Sequence, residues 1–422
     1  MNSKMRDELK NLTWKLLDGT AKEHLEEDVC FKVIHSPQTD RMISFPHKIT
    51  SEYVHAVQVL RRKAKAQRKF LSDRKIETLL DNYIMDLKYS TSANMNNEID
   101  GRITELFEAV RCSPNERHIF LIPSVNLVVN IDVTIGDSTI LRLTLETFRQ
   151  LQKKYGLRFP VRSIDIESQV SDLVKINETE FFIKVLTDAA DHEKAKEMAF
   201  EKAETVLNVL RLYTLNEHIA LRGEGFARVN RDIISANLSK KVFSESFSSV
   251  NDPSPALYID KHLVEKMLEF RLGSMNSLLT QERRTMNELQ KNLLTAIFWF
   301  GGAVKDRHRV SKYIKYIVAM ETLLLRGERS KKEIISKRLA SILYKEAEPQ
   351  QAKEAYCLMK RLYQARNDII HAGRDHVEGE DVGQVKYWCQ ALIFCLLDYA
   401  NQYQDILSLV EKEFYVDDDI FA

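Results

Sequence analysis

PQQAKEAYCLMKRLYQARNDIIHAG, residues 349–373, is the stretch on which the fold turns. Tyr356, Met359, Tyr363 and Ile370 recur at spacings of three, four and seven, the period of one buried helix face. Gly373 follows the last periodic residue and suits the left-handed position that closes a helix. The position completing the stripe between Tyr363 and Ile370 is Arg366. A guanidinium on a core-facing stripe needs a partner, because an isolated buried charge is strongly unfavourable.

Upstream, SKYIKYIVAMETLLLR (311–326) has a stripe of Ile314, Ile317, Val318, Leu324 and Leu325, with Glu321 among them. At about 100° per residue, Glu321 lies within about 20° of Ile314. One acid and one base, each interrupting an apolar face, predict a buried pair. Such a pair holds the Arg while leaving N–H groups for another anion. A purely structural Arg–Glu bridge between two helices is the alternative. His371 falls in the final turn, where the helix dipole favours imidazolium by roughly 0.3–1 kcal/mol. A histidine titrating near neutrality suits proton transfer, and an exposed cap histidine is the alternative. Arg366 and His371 are five residues apart, about 140° around an ideal helix. They can meet at one phosphate only if the last turn loosens or two copies of the chain build the site.

Helical periodicity extends over the whole C-terminal part, through KNLLTAIFWFGGAV, KKEIISKRLASILYKE and a run from Gly383 to about Glu413. Seven of the eight prolines occur by Pro255, so the N-terminal part is the more broken one. Short connections between such helices predict an antiparallel bundle over 260–422. Residues 116–250 read as a mixed α/β unit. Arg117–Leu145 is rich in Val, Ile and Thr, is broken by Pro123 and Gly136-Asp137, and predicts two or three strands. ETEFFIKVLTD predicts another strand, leading into a long helix through HEKAKEMAFEKAETVLNVLRLY. Residues 1–115 read as mostly helical, with an irregular stretch at FKVIHSPQTDRMISFPHKIT. SESFSSVNDPSPA (244–256) reads as a linker. The fold class is therefore mainly α with a small α/β portion, a C-terminal antiparallel helical bundle following a mixed α/β N-terminal region.

Lys and Arg number 62 against 61 Asp and Glu, for a net charge of +1. Nucleic-acid contact must then come from a local patch. Five cysteines without C-x-x-C spacing suit a reducing compartment. The longest apolar runs, 293–304 and 391–400, fall short of the roughly 20 residues that span a bilayer. With no apolar leader at the N-terminus, a cytoplasmic location without membrane contact is expected. No P-loop, G-x-G-x-x-G or G-x-S-x-G occurs. His371 and His376 lack a carboxylate at helical spacing, so neither metal nor other cofactor is expected.

RNDIIH (366–371) is similar to the R-x4-6-H signature of HEPN-domain ribonucleases, including the polar residue after the Arg. LTAIFWFGGAV, KYIKYIVAMETLLLR and LYQARNDIIHAG, in that order, resemble the W-F-G, A-x-E-x-L-L and R-N-x-x-x-H segments of the ApeA-like HEPN group. The resemblance covers roughly 280–415. It implies a four- or five-helix bundle that dimerises with the R-N-x-x-x-H helices facing each other across one composite cleft. It further implies metal-independent RNA cleavage by the RNA's own 2′-hydroxyl, giving a 2′,3′-cyclic phosphate and a 5′-hydroxyl. His371 would move protons, Arg366 would hold the phosphate, Asn367 would orient phosphate or His, and Glu321 would fix the Arg. Asp368 and Tyr363 would support them. Some HEPN toxins carry a modifiable Tyr two residues after the His; here that residue is Gly373, so silencing by that route is not expected.

Residues 61–75 (RRKAKAQRKFLSDRK) hold eight basic residues and one acid. Arg61, Arg62, Lys63, Lys65, Arg68 and Lys69 form either an RNA-backbone contact or a solvated helix face balanced by acids elsewhere. The acidic C-terminal EKEFYVDDDIFA reads as a tail. The leading expectation is a homodimeric defence or toxin RNase acting on RNA under a phage or host trigger. A non-catalytic HEPN module for dimerisation or nucleic-acid binding is the alternative. A third reading makes the N-terminal region the sensor and the RNase its output.

Overall fold

Helix dominates the chain, with a smaller sheet portion. The computed structural model describes residues 3–20, 30–36, 41–67, 70–92, 94–156, 166–177, 179–221, 233–237, 242–246 and 256–414. Contacts divide the chain into two compact units. One is Met1–Ile119 with Thr187–Ala199 and Ala236–Val242; the other is Phe120–Leu186 with Phe200–Ser235 and Phe243–Ala422. The boundaries expected from sequence were 1–115, 116–250 and 260–422; most of the middle strands and all of the C-terminal helices fall in one unit.

The first unit runs α1 (Ser3–Gly19), β1 (Cys30–Ser36), β2 (Arg41–Pro46), a 3-10 turn at His47–Ile49, α2 (Thr50–Ala66), α3 (Asp73–Lys88) and α4 (Met95–Cys112). Leu9, Leu16, Leu60, Leu80, Ile84 and Ile103 fill its core, at the spacings that put apolar residues on one helix face. Ser72 and Asn94 cap α3 and α4 by accepting from the Lys75 and Asn97 N–H groups, which satisfies donors the first turn leaves open. The stretch expected to be irregular is instead an antiparallel pair, with Ile34 opposite Ile43. Ile43, Ser44 and Phe45 are all fully buried, so β2 lacks the alternation that marks a half-buried strand in sequence. Lys32 on β1 ion-pairs with Asp81 at 2.8 Å, and Tyr53 Oη donates to the same carboxylate at 2.7 Å.

The middle of the chain carries β3 (Glu116–Val125), β4 (Leu127–Val129), β5 (Val133–Ile135), β6 (Ser138–Arg142), α5 (Leu145–Tyr155), α6 (Ile166–Asn177), β7 (Phe181–Ala189) and α7 (His192–Thr214). β8 (Ala220–Leu221), β9 (Ile233–Asn237), β10 (Val242–Ser246) and β11 (Leu257–Ile259) follow. β7 lies between β3 and β6, and β5 follows β6. β6 and β7 are antiparallel with Ile140 opposite Ile183, and β11 runs parallel to β4. Four strands occupy the stretch where two or three were expected. Pro123 lies inside β3, and the break falls at Asn126, whose φ is 58°, a left-handed conformation Asn tolerates. Gly136, φ 62°, makes the expected turn between β5 and β6. Part of the expected linker is β10, and 247–255 lie outside the described residues.

The C-terminal part is α8 (Lys261–Glu269), α9 (Leu272–Thr280), α10 (Glu288–Lys305), α11 (Arg309–Leu324), α12 (Lys331–Leu343), α13 (Pro349–Ala372), α14 (Gly379–Tyr399) and α15 (Ile406–Glu413). α11 packs against α10, α12, α13 and α14. Its Tyr313, Tyr316 and Leu323 are buried with Phe300, Met359 and Trp388. The buried hydroxyl of Tyr313 donates to the Leu362 carbonyl at 2.6 Å, and the Trp388 indole N–H donates to Tyr344 Oη at 3.1 Å. The run expected from Gly383 to Glu413 is two helices: Asp405 caps α15 by accepting from the Ser408 N–H, and an aspartate in that role starts a new helix rather than continuing one. Glu411–Glu413 therefore belong to α15 rather than to a tail, Phe414 is buried, and 415–422 lie outside the described residues. No helix among the described residues is long and apolar enough to cross a membrane.

Gly301 explains one segment of α10. A Cβ there would sit 2.1 Å from Asn208 Oδ1 of α7. That oxygen accepts from Arg211 Nη1 at 2.7 Å, and the fully buried Arg211 also pairs with Glu204 at 2.6 Å and donates to the Ile219 carbonyl. Gly301→Ala is expected to lower unfolding free energy by about 1–3 kcal/mol through overpacking and a strained buried hydrogen bond. Gly302→Ala, whose Cβ would meet nothing within 4 Å, should be neutral or stabilising by up to about 1 kcal/mol. Urea unfolding of the two single variants checks the contrast.

Candidate functional site

The last two turns of α13 carry the site. Its buried residues end at Ala365. Ile370 is 47% exposed, not on the buried stripe where the spacing put it, because periodicity does not say where the neighbouring helix stops. Gly373 takes the expected left-handed conformation, φ 70°, and its N–H donates to the Asp368 carbonyl, an end that satisfies a carbonyl the last turn would leave open.

Arg366 and Glu321 pair as the interrupted stripes predict. Arg366 Nη2 lies 3.3 Å from Glu321 Oε2, with side chains 16% and 15% exposed. Tyr363 Oη donates to the other Glu321 oxygen, so the carboxylate bridges two residues of α13. The guanidinium lies 5.6 Å from the Tyr363 ring centroid, and Nη1 donates to Asn367 Oδ1 at 3.2 Å. Arg366 Nε is buried with no hydrogen-bond partner among the described residues. Burial, reinforced by the bond to Glu321, pushes the Tyr363 hydroxyl well above its ordinary pKa. It therefore stays protonated and remains a donor to Glu321.

Beside this triad opens a cleft of about 430 Å³. Tyr363, Arg366, Asn367 and His371 of α13 form one wall. The opposite wall is the elbow between α11 and α12: Arg329 and Ser330, then Lys331, Lys332 and Glu333 in the first turn of α12. Arg366 and exposed His371 thus line one cleft of a single chain while α13 stays helical through Ala372. Asp368 is not on the cleft wall; its carboxylate accepts from Gln364 Nε2 at 2.9 Å and its carbonyl closes the helix.

The elbow was not anticipated from the sequence. Its signal was the run ERSKKE (328–333), short enough to pass as an ordinary polar connection. The one acid in the wall, Glu333, accepts from Tyr356 Oη at 2.6 Å and pairs with the Lys360 ammonium at 2.9 Å. The Tyr356 hydrogen bond and then Lys360 hold its pKa below the ordinary range. Lys332 Nζ donates to Gln364 Oε1 at 3.3 Å. Among the described residues neither Arg329 nor Lys331 has an acidic partner within salt-bridge distance. The cleft is therefore cationic although the chain is nearly neutral. No cluster of three or more metal-ligating side chains occurs among the described residues.

The other basic run, on α2, is largely engaged. Arg61 pairs with Asp73 at 2.6 Å, Arg62 pairs with Glu8 at 2.7 Å, and the Lys63 ammonium lies 4.7 Å from the Phe107 centroid. Lys65 is exposed, and Arg68 and Lys69 lie outside the described residues. No protein-family model matches the chain, and no curated protein or solved structure matches it either.

Glu321→Ala leaves Arg366 without its carboxylate and is expected to cost about 1–3 kcal/mol, reduced from the fully buried case by solvent access. Tyr363→Phe removes one hydrogen bond and should cost about 1 kcal/mol. Denaturant titration measures both; equal and negligible losses would show that the triad does not stabilise α13.

Proposed function

We propose that the chain is a HEPN-type, metal-independent endoribonuclease, related to the ApeA-like group, whose working groups are Arg366 and His371. The observation that carries this reading is that the two side chains line one cationic cleft, with Arg366 held by Glu321 and a buried Nε unpartnered among the described residues. A 2′-hydroxyl oxygen attacks the adjacent phosphorus, the P–O5′ bond breaks, and a 2′,3′-cyclic phosphate forms. The 2′ proton passes to a base and the leaving O5′ takes a proton from an acid. Arg366 neutralises charge building on the phosphoryl oxygens, and Asn367 orients the phosphate. His371 serves as base or acid.

One imidazole cannot occupy both roles at once, which favours a homodimer in which the partner's copy of the same histidine serves the second role. Exposed Ile370, beside His371, offers apolar surface for that contact. The reading places the chain among defence or toxin effectors acting in the cytoplasm, released by a phage or host product. The bond from Arg366 to Glu321 also favours a second reading, in which the pair is architectural and the bundle only dimerises or binds nucleic acid.

Purified wild type, His371→Ala and Arg366→Ala, incubated with single-stranded RNA in EDTA, separate these readings. Loss of either group is expected to slow cleavage about 10²–10⁴-fold, and wild-type products should end in a 2′,3′-cyclic phosphate. Cleavage unchanged in His371→Ala would sink the nuclease reading, and a loss of dimer confined to Arg366→Ala would establish the architectural one.

A further inference from the structure

The cleft is larger than one phosphate requires. Its volume, about 430 Å³, lies in the range of pockets for whole small ligands, roughly 300–1,000 Å³. Arg366 and His371 account for one wall; the facing wall holds three further cations, Arg329, Lys331 and Lys332. Arg329 and Lys331 are exposed, are unpaired with acids among the described residues, and are kept beside the cleft by the turn that starts α12. Like charges gathered without acids repel one another, and an anion between them relieves that repulsion. Glu333 does not supply it, because its carboxylate is already shared by Lys360 and Tyr356.

We infer that the α11–α12 elbow is a second phosphate subsite, in which Arg329 and Lys331 hold the phosphate next to the one at Arg366 along a single RNA strand. This rests on the ribonuclease reading for its ligand but concerns residues that reading does not use. Lys332, tethered to Gln364, stands on the same wall. The elbow would thereby set the strand's register against His371 without reading its bases, since phosphate contacts position and base contacts specify.

The test uses a short single-stranded 2′-O-methyl RNA, which lacks the attacking hydroxyl, so binding is measured whether or not the protein cuts. Affinity is followed by fluorescence anisotropy against salt. Each phosphate contact on a single strand contributes about 0.7 to the slope of log K against log salt, so Arg329→Ser/Lys331→Ser should flatten it by about 1.4. Between about 50 and 200 mM salt the wild type should then lose roughly sevenfold more affinity than the double variant. The charge-keeping pair Arg329→Lys/Lys331→Arg should retain the wild-type slope, which separates lost contact from misfolding. An unchanged slope in the Ser pair overturns the subsite, as does a loss confined to Arg61→Ser/Arg62→Ser. A wild type that binds with the expected slope but never cuts hydroxyl-bearing RNA keeps the subsite and discards the nuclease.

Discussion

A carboxylate and a guanidinium facing each other across two helices organise the C-terminal bundle around its cleft. Glu321 sits where α11 would otherwise be apolar, and Arg366 sits where α13 would be. Either group alone would be an uncompensated charge in a protected place, so the chain must keep both or neither. Tyr363 adds a third tie, donating to Glu321 while its ring lies under the guanidinium. The result is an arginine whose position is set by α11 while its side chain still lines the cleft. Side chains used for phosphate chemistry need this kind of support, because a long, rotatable arm loses much of its value if it must be ordered at the moment of binding.

What was legible in the sequence follows from how local each signal is. The Glu321–Arg366 pair could be read because a charge on a 3.6-residue stripe is visible without knowing the tertiary structure. Gly373 could be read because few residues tolerate the conformation that ends a helix. Ile370 was misplaced because a stripe records which face would be buried and not whether a neighbour extends far enough to bury it. The β1–β2 pair was hidden because β2 is buried on both faces, which erases the alternation that marks a strand, and because proline stands at or beside the end of each strand. The elbow at Arg329–Lys332 was beyond reach for a different reason. Those residues lie 34 to 37 positions before Arg366, and only the packing of α12 against α13 brings them opposite.

Balanced charge also hid the location of the cationic surface. The run at 61–75 had the stronger compositional signature, eight bases with one acid, yet Arg61 meets that one acid, Asp73, and Arg62 meets Glu8, brought from elsewhere in the chain. The elbow has fewer bases, and among the described residues two of them meet none. Density of charge along a sequence is thus a poor guide to potential at a surface, because the folded chain decides which acids arrive.

The near-neutral total has a kinetic consequence. A molecule of net charge +1 exerts little pull on a polyanion at distances beyond the Debye length, about 8 Å at physiological ionic strength. Its cationic cleft is felt only after encounter, so approach is governed by ordinary diffusion and orientation rather than by long-range steering. On the proposed ribonuclease reading, such a protein would sample many strands briefly and retain only those that thread the groove, a form of selectivity exercised through residence time.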